Sequence, residues 1–304
     1  MTASTTRCGY IAVVGRPNVG KSTLMNRLIG VRLSIATHKP QTTRHQVLGV
    51  VTRDHTQMVF VDTPGYHLGE KRAINRYMNR AALGSLNDVD VVVFVVQAMR
   101  FSDEDKALLN RIKKTDLPVI AVVNKVDVLD DKNELLPFMQ MLNEQHDFVS
   151  MLPISARKGQ GVDALEGELT PHLPEQPHIF EEDDFTDRNM RFLAAERIRE
   201  QLFLNMQQEI PYATTVEIEQ FKEEAERFVI HAVIWVERAS QKGMVIGKGG
   251  QRLKEVGTRA RQSIARLLDT RVHLELWVRV KEGWSDDERS LTKLGYSEQG
   301  EPWK

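Results

Sequence analysis

The run Gly15-Arg16-Pro17-Asn18-Val19-Gly20-Lys21-Ser22 constrains this chain more than any other stretch. It satisfies the pattern GxxxxGK[ST], and its flanks have the character that the pattern requires. Tyr10–Val14 reads as a short buried strand, and Ser22–Leu28, opening on Ser22-Thr23, reads as the start of a helix. Glycines let backbone N–H groups close around a polyphosphate, and a helix N-terminus adds favourable partial charge. Lys21 is placed to reach the outer phosphates, and Ser22 to offer its hydroxyl to Mg²⁺.

The length of 304 residues suggests about two domains. With 41% hydrophobic and 27% charged residues, the chain has enough apolar material for real cores. Its one cysteine, Cys8, excludes an internal disulfide and fits a reducing, cytoplasmic setting. Residues 1–8 are polar and carry no apolar leader core. No window approaches 18 uninterrupted apolar residues, so a membrane-spanning helix is not expected. The net charge of −1 conceals an asymmetry. Lys242–Lys281 holds ten basic and three acidic residues, a charge of +7, which leaves −8 elsewhere. Such a block suits a polyanionic partner, although a solvated helix face reads the same way.

Residues 1–172 alternate strand and helix patterns, the signature of an α/β domain with a mostly parallel sheet. The strands read as 47–51, 58–61, 89–96, 118–123 and 151–154, and the close spacing of the first two predicts one antiparallel hairpin. Residues 173–188, rich in proline and acid, read as a linker. Residues 189–282 then read in the order helix, strand, strand, helix, helix, strand, and 283–304 form a tail.

Three further elements follow strand ends. Asp62-Thr63-Pro64-Gly65 places a carboxylate towards Mg²⁺ and a Gly65 N–H towards a γ-phosphate, which makes Gly65 a natural switch pivot. Asn124-Lys125-Val126-Asp127 selects the base. A carboxylate at Asp127 can accept from N1–H and the exocyclic amine of guanine, Lys125 covers the purine, and Asn124 ties the loop to the phosphate loop. Ser155-Ala156 can give a backbone N–H to guanine O6. Between these lies Pro40-Gln41-Thr42-Thr43-Arg44, where Thr43, with Thr42 as the alternative, is expected to close on Mg²⁺ and the γ-phosphate. GTP is therefore the expected nucleotide. The metal set is Ser22, Thr43 and Asp62, and Lys21, Thr43 and Gly65 are the residues nearest the chemistry.

In the basic block, Val245-Ile246-Gly247-Lys248-Gly249-Gly250 contains a GxxG element between two helices. The surrounding order resembles a type II KH domain, an α+β fold in which such a loop clamps a single-stranded backbone beside an apolar groove. Ile246, Gly247, Lys248, Gly249 and Gly250, flanked by Lys242, Arg252 and Lys254, are the candidate RNA contacts. Val245 is expected in the core, and Trp235 and Trp277 read as packing residues.

The five nucleotide elements resemble those of the translation-factor-related GTPases, and in detail the chain is similar to the Era family. The match extends to Glu70-Lys71-Arg72-Ala73-Ile74-Asn75, through the KH region and into Gly283-Trp284-Ser285-Asp286-Asp287-Glu288-Arg289, which by itself reads as an acidic, exposed turn. The resemblance implies a P-loop GTPase domain joined to a type II KH domain. It implies Mg²⁺, GTP and GDP as ligands, the 3′ end region of 16S rRNA and the small ribosomal subunit as partners, and a role in 30S subunit assembly. It also implies a monomer in the cytoplasm with peripheral association at the inner face of the membrane, and K⁺ held with help from Asn18, which matches an asparagine of related enzymes. Tyr66 stands where Ras-like enzymes carry a water-orienting glutamine, so slow intrinsic hydrolysis is expected. The alternative is an RNA-binding chaperone for which GTP is mainly a structural ligand.

Overall fold

The computed structural model describes residues 5–37, 39, 41–66, 72–207 and 209–296. The chain forms two compact units. The first is built from residues up to 66 and from 78–187, the second from residues 72–77 and 188–296.

The first unit holds a six-stranded sheet. Its strands are β1 (Arg7–Val14), β2 (Val47–Arg53), β3 (Thr56–Asp62), β4 (Val91–Gln97), β5 (Val119–Asn124) and β6 (Ser150–Ile154), in the spatial order β2-β3-β1-β4-β5-β6. β2 and β3 form the antiparallel hairpin, and every other pairing is parallel. β4 reads Val-Val-Val-Phe-Val-Val-Gln and its first six residues are buried, because a central parallel strand is covered on both faces. Side chains alternate between two cores. Ile11 and Val13 pack with α1 (Lys21–Ile29) and α5 (Val162–Leu169), whereas Ala12 and Val14 pack with α3 (Asp103–Ile112) and α4 (Leu135–Asn143).

Residues 173–188, read as a linker, differ from that expectation through residue 187. Their backbone is hydrogen-bonded to the first unit, with Cys8 N–H donating to Pro174 O (3.1 Å) and Val50 N–H to Phe185 O (3.0 Å). The fully buried Gln57 carboxamide is the clasp. Its oxygen accepts from the N–H groups of Ile179 (2.8 Å) and Phe180 (2.9 Å), and its nitrogen donates to Phe180 O (2.9 Å) and Thr52 Oγ1 (3.0 Å). α2 (Ala73–Gly84) opens inside the second unit, where Ala73 N–H donates to Asp286 Oδ1 (2.9 Å) and Ile74 N–H to Ser285 O (3.1 Å).

The second unit comprises α6 (Met190–Asn205), β7 (Thr214–Glu224), β8 (Arg227–Val236), α7 (Ala239–Ile246), α8 (Gln251–Leu268), β9 (Arg271–Val280) and α9 (Glu288–Lys293). β7 pairs antiparallel with β8, with an irregularity between Ile218 and Gln220, and β8 pairs parallel with β9. A parallel pair needs a crossover, and α7 and α8 supply it. Val256, Ala260 and Ile264 form the buried stripe of α8 at four-residue spacing and pack with α6 over the sheet. The segment after β9 is the turn its acids suggest, with Asp286, Asp287 and Glu288 exposed, but Trp284 and Ser285 within it are buried. Trp284 is fully buried, donates from Nε1 to Ala213 O (3.3 Å) and stacks on Tyr296. Asp287 spends its carboxylate capping α9.

Gln57→Ala leaves the Ile179 and Phe180 amides without their acceptor. It should lower the unfolding free energy of the protein by about 1–3 kcal/mol in a urea titration. Hydrogen exchange at those two amides should accelerate.

Candidate functional site

In the first unit the phosphate loop, Asp62–Gly65, Asn124–Asp127 and Ser155-Ala156 all stand at the carboxyl end of a strand, whereas residues 41–44 precede β2. After β1 the chain turns into the loop Gly15–Gly20 and enters α1 without a side-chain cap, so its first N–H groups stay available. The glycines are there because space and backbone demand them. A Cβ on Gly15 would collide with the Val95 carbonyl. Gly20 sits at φ 107° with the Asn124 carboxamide against it. Lys21 is buried and donates to the carbonyls of Gly15 (2.9 Å) and Arg16 (3.1 Å). Burial pulls its pKa down to about 8, so it is an ammonium group poised to regain charge stabilisation from a phosphate.

Ser22, Thr43 and Asp62 converge. Ser22 Oγ lies 2.9 Å from Thr43 Oγ1, which lies 3.4 Å from Asp62 Oδ2. Asp62 is fully buried, and its Oδ1 has no hydrogen-bond partner among the described residues. Burial pushes its carboxyl above the usual carboxylate range, against the pull of nearby hydroxyls and the Lys21 ammonium. Two hydroxyls and one carboxylate with a spare buried oxygen are a hard, all-oxygen set that fits Mg²⁺. Thr42 lines the same pocket with Thr37, Gln41 and Gly65. Pro40, Glu70 and Lys71 lie outside the described residues.

Asn124 performs the tie read from its position. Its Nδ2 donates to Val19 O (2.8 Å) and its Oδ1 accepts from Ala156 N–H (3.0 Å). The Ala156 N–H, expected to face guanine O6, thus also meets Asn124, and the Ser155 N–H donates to Gln160 O (3.0 Å). Ser155 instead acts through its side chain, donating from Oγ to Asp127 Oδ1 (2.7 Å) and so aiming the carboxylate. Lys125 stands at φ 69° and donates to Gln97 Oε1 (3.2 Å). The Tyr66 ring is buried in the core beside β4, with the Arg111 guanidinium 5.6 Å from its centre. It is packed among apolar side chains there.

In the second unit α7 ends at Gly247, whose φ of 74° and ψ of 177° suit only glycine, and where a Cβ would press on Arg252 at 2.7 Å. Gly249 and Gly250 also have positive φ, and open space lies where their side chains would stand. Gly250 caps α8 with no side-chain bond, the same open N-terminus as in the first unit. Lys242, Lys248 and Lys254 are exposed around this turn. Arg252 is committed in part to the loop itself, donating to Met244 O (2.8 Å). Ile246 is half-buried against the core and Val245 is fully buried. Beside the turn runs a groove whose lining the sequence reading did not name, formed by Leu253, Gly257 and Arg261 of α8 and by Leu274 and Leu276 of β9. The signal was present as a helical stripe at positions 250, 253, 257 and 261 facing alternate residues of β9. Of the two tryptophans read as packing, Trp235 is tied to Glu217 by its Nε1 (2.7 Å), whereas Trp277 is 38% exposed and meets His231 edge-on.

Residues 10–125 match the family described as 50S ribosome-binding GTPase, and residues 209–285 match the KH domain family. The chain is 51% identical to GTPase Era of Pseudomonas entomophila strain L48, over 98% of this chain and 100% of that one. The chain belongs to the Era family of GTPases. Its identity with Era of Yersinia pestis strain Pestoides F is also 51%, over 96% of this chain and 97% of that one. A crystal structure of Era with MgGDPNP and nucleotides 1506–1542 of 16S ribosomal RNA superposes with a TM-score of 0.93 at 38% identity, covering 96% of this chain and 99% of that one. A tyrosine-to-alanine variant of Aquifex aeolicus Era bound to GDP·AlF4⁻ gives 0.92 at 38% identity, over 96% and 100% of the two chains. The Era-type chain is accordingly a P-loop GTPase with a KH domain.

A Cβ on Gly65 would stand 2.8 Å from the backbone and ring of Pro17, so the switch and phosphate loops leave no room for a methyl group. Gly65→Ala should retain GDP affinity within about threefold and lower single-turnover GTP hydrolysis by about a hundredfold, because the γ-phosphate donor is displaced.

Proposed function

We propose that this chain is a guanine-nucleotide switch that hydrolyses GTP, binds the 3′ end region of 16S rRNA through its KH domain, and acts in small-subunit assembly. One observation carries the reading: a complete guanine-nucleotide site and an open GxxG groove occur in one chain. The related Era structure holds MgGDPNP and nucleotides 1506–1542 of 16S rRNA.

Lys21 and the first-turn N–H groups of α1 hold the β- and γ-phosphates, and Gly65 N–H takes the γ-phosphate. Ser22, Thr43 and Asp62 are the residues that would hold Mg²⁺, with Thr43 preferred over Thr42 because its hydroxyl already meets the other two. The ion supplies charge stabilisation on the phosphate oxygens. Asp127, aimed by Ser155, accepts from N1–H and the exocyclic amine of guanine, and Lys125 covers the ring. Tyr66 is held in the core, so the attacking water is positioned by backbone groups and hydrolysis is slow without a further factor. Asn18 is the residue that would help hold K⁺, and the working state is a monomer. Among the described residues no helix is long and apolar enough to cross a membrane.

On the KH side, the exposed turn Gly247–Gly250 lets a backbone phosphate approach closely, and Lys248, Lys242 and Lys254 supply charge. Bases lie in the groove over Leu253, Leu274 and Leu276.

Asp127→Asn should weaken GTP by about two orders of magnitude and favour xanthosine triphosphate, read by competition with a fluorescent nucleotide. Retained GTP preference would contradict the base assignment. Lys248→Asp should weaken a 16S 3′-end RNA about tenfold or more and flatten the salt dependence, with GTP affinity unchanged. Unchanged RNA affinity would remove Lys248 from the interface.

A further inference from the structure

Arg16 lies in the phosphate loop, yet its side chain turns away from the nucleotide pocket and is only 6% exposed. Its Nε meets Asp105 Oδ2 at 3.1 Å, an ion pair in which both side chains are buried. Asp105 is itself fixed, because the same oxygen accepts from Ser102 N–H (2.9 Å) and Ser102 Oγ (2.8 Å) in the capping box that opens α3. The Arg16 carbonyl in turn accepts from Lys21 Nζ (3.1 Å). The N-terminus of α3 therefore anchors the residue on which the phosphate lysine leans.

Gln97 joins this anchor to the other half of the site. It ends β4 opposite Asn124 of β5, and its Oε1 accepts from Arg16 Nη2 (3.4 Å) and from Lys125 Nζ (3.2 Å). One carboxamide oxygen is thus shared by a cation of the phosphate loop and the lysine of the guanine loop. On the opposite side Asn124 reaches Val19 O, so the two loops are clamped at two points. A shared acceptor makes their positions interdependent, because both cations are held by the one carboxamide and a shift of that oxygen moves the anchor of both loops.

We propose that Gln97 is a positioning residue for guanine nucleotides, whose carboxamide oxygen couples the phosphate loop to the guanine loop, with Asp105 as the fixed end of the chain. This rests on the guanine-site reading above. The coupling means that the gain from the β-phosphate and the gain from the guanine amine both depend on Gln97, although its side chain is assigned no contact with either.

The test compares two affinity ratios, GMP against GDP and IDP against GDP, in the full-length protein. The first reads the phosphate loop and the second the guanine loop. Gln97→Ala should reduce both ratios by about threefold to tenfold. The melting temperature without nucleotide should stay near that of the unaltered protein. Gln97→Glu keeps the acceptor between the two cations and should restore both ratios. Gln97→Met, which keeps the stem and loses the acceptor, carries the same expectation should the alanine variant fold poorly. A Gln97 variant that weakens all three nucleotides equally, or changes one ratio alone, would overturn the coupling. Failure of the unaltered protein to prefer GDP over IDP would instead overturn the guanine-site reading.

Discussion

Parallel pairing of β1, β3, β4, β5 and β6 is the constraint on which the nucleotide site depends. Parallel neighbours run the same way, so their carboxyl ends share one edge of the sheet, and each crossover must leave from that edge. The register is specific. Val13 lies opposite Asp62 across β1 and β3, while Gln97 and Ile154 lie opposite Asn124 across β4, β5 and β6. Phosphate, metal and base elements separated by more than a hundred residues are brought together by this register. Side chains finish the work that topology begins: Asn124 holds the phosphate loop and the segment after β6 at once.

Both units open a helix by the same local means, one that suits an anion. A glycine with positive φ precedes a helix whose first turn has no side-chain cap, Gly20 before α1 and Gly250 before α8. The unsatisfied N–H groups and the helix dipole then face outward. Selectivity comes from the surroundings. In the first unit a buried lysine and a carboxylate make a deep polar site for a polyphosphate. In the second the glycines face open space beside exposed lysines and an apolar groove, which suits an extended backbone with splayed bases.

Much of this was legible in the sequence because the signals are local. GxxxxGKS, DTPG, NKVD and GxxG are short runs whose residue types follow from the geometry of the bound group, and the apolar run of β4 announces a central strand. What escaped is held by partners distant in sequence. Gln57 clasps residues 179 and 180 from more than a hundred positions away, so the proline-rich stretch reads as a free linker although it is bound. Trp284 is surrounded in sequence by acids, yet it is buried through Ala213 and Tyr296. Residues 72–77 look like a continuation of the first unit, but their first N–H groups are satisfied by Asp286 and Ser285. The partner of the Ala156 N–H was likewise not legible, because Asn124, which accepts from it, lies 32 positions away.

The most direct test of a coupled switch is the affinity for a short RNA matching the 3′ end of 16S rRNA, at fixed salt, with a non-hydrolysable GTP analogue, with GDP and without nucleotide. Coupling requires that nucleotide and RNA change each other's affinity by the same factor. The account predicts tighter RNA binding in the GTP-analogue state, matched by an equal tightening of the analogue over GDP when RNA is present. Equal RNA affinity in all three states would contradict it and leave two binding modules that share a chain without communicating.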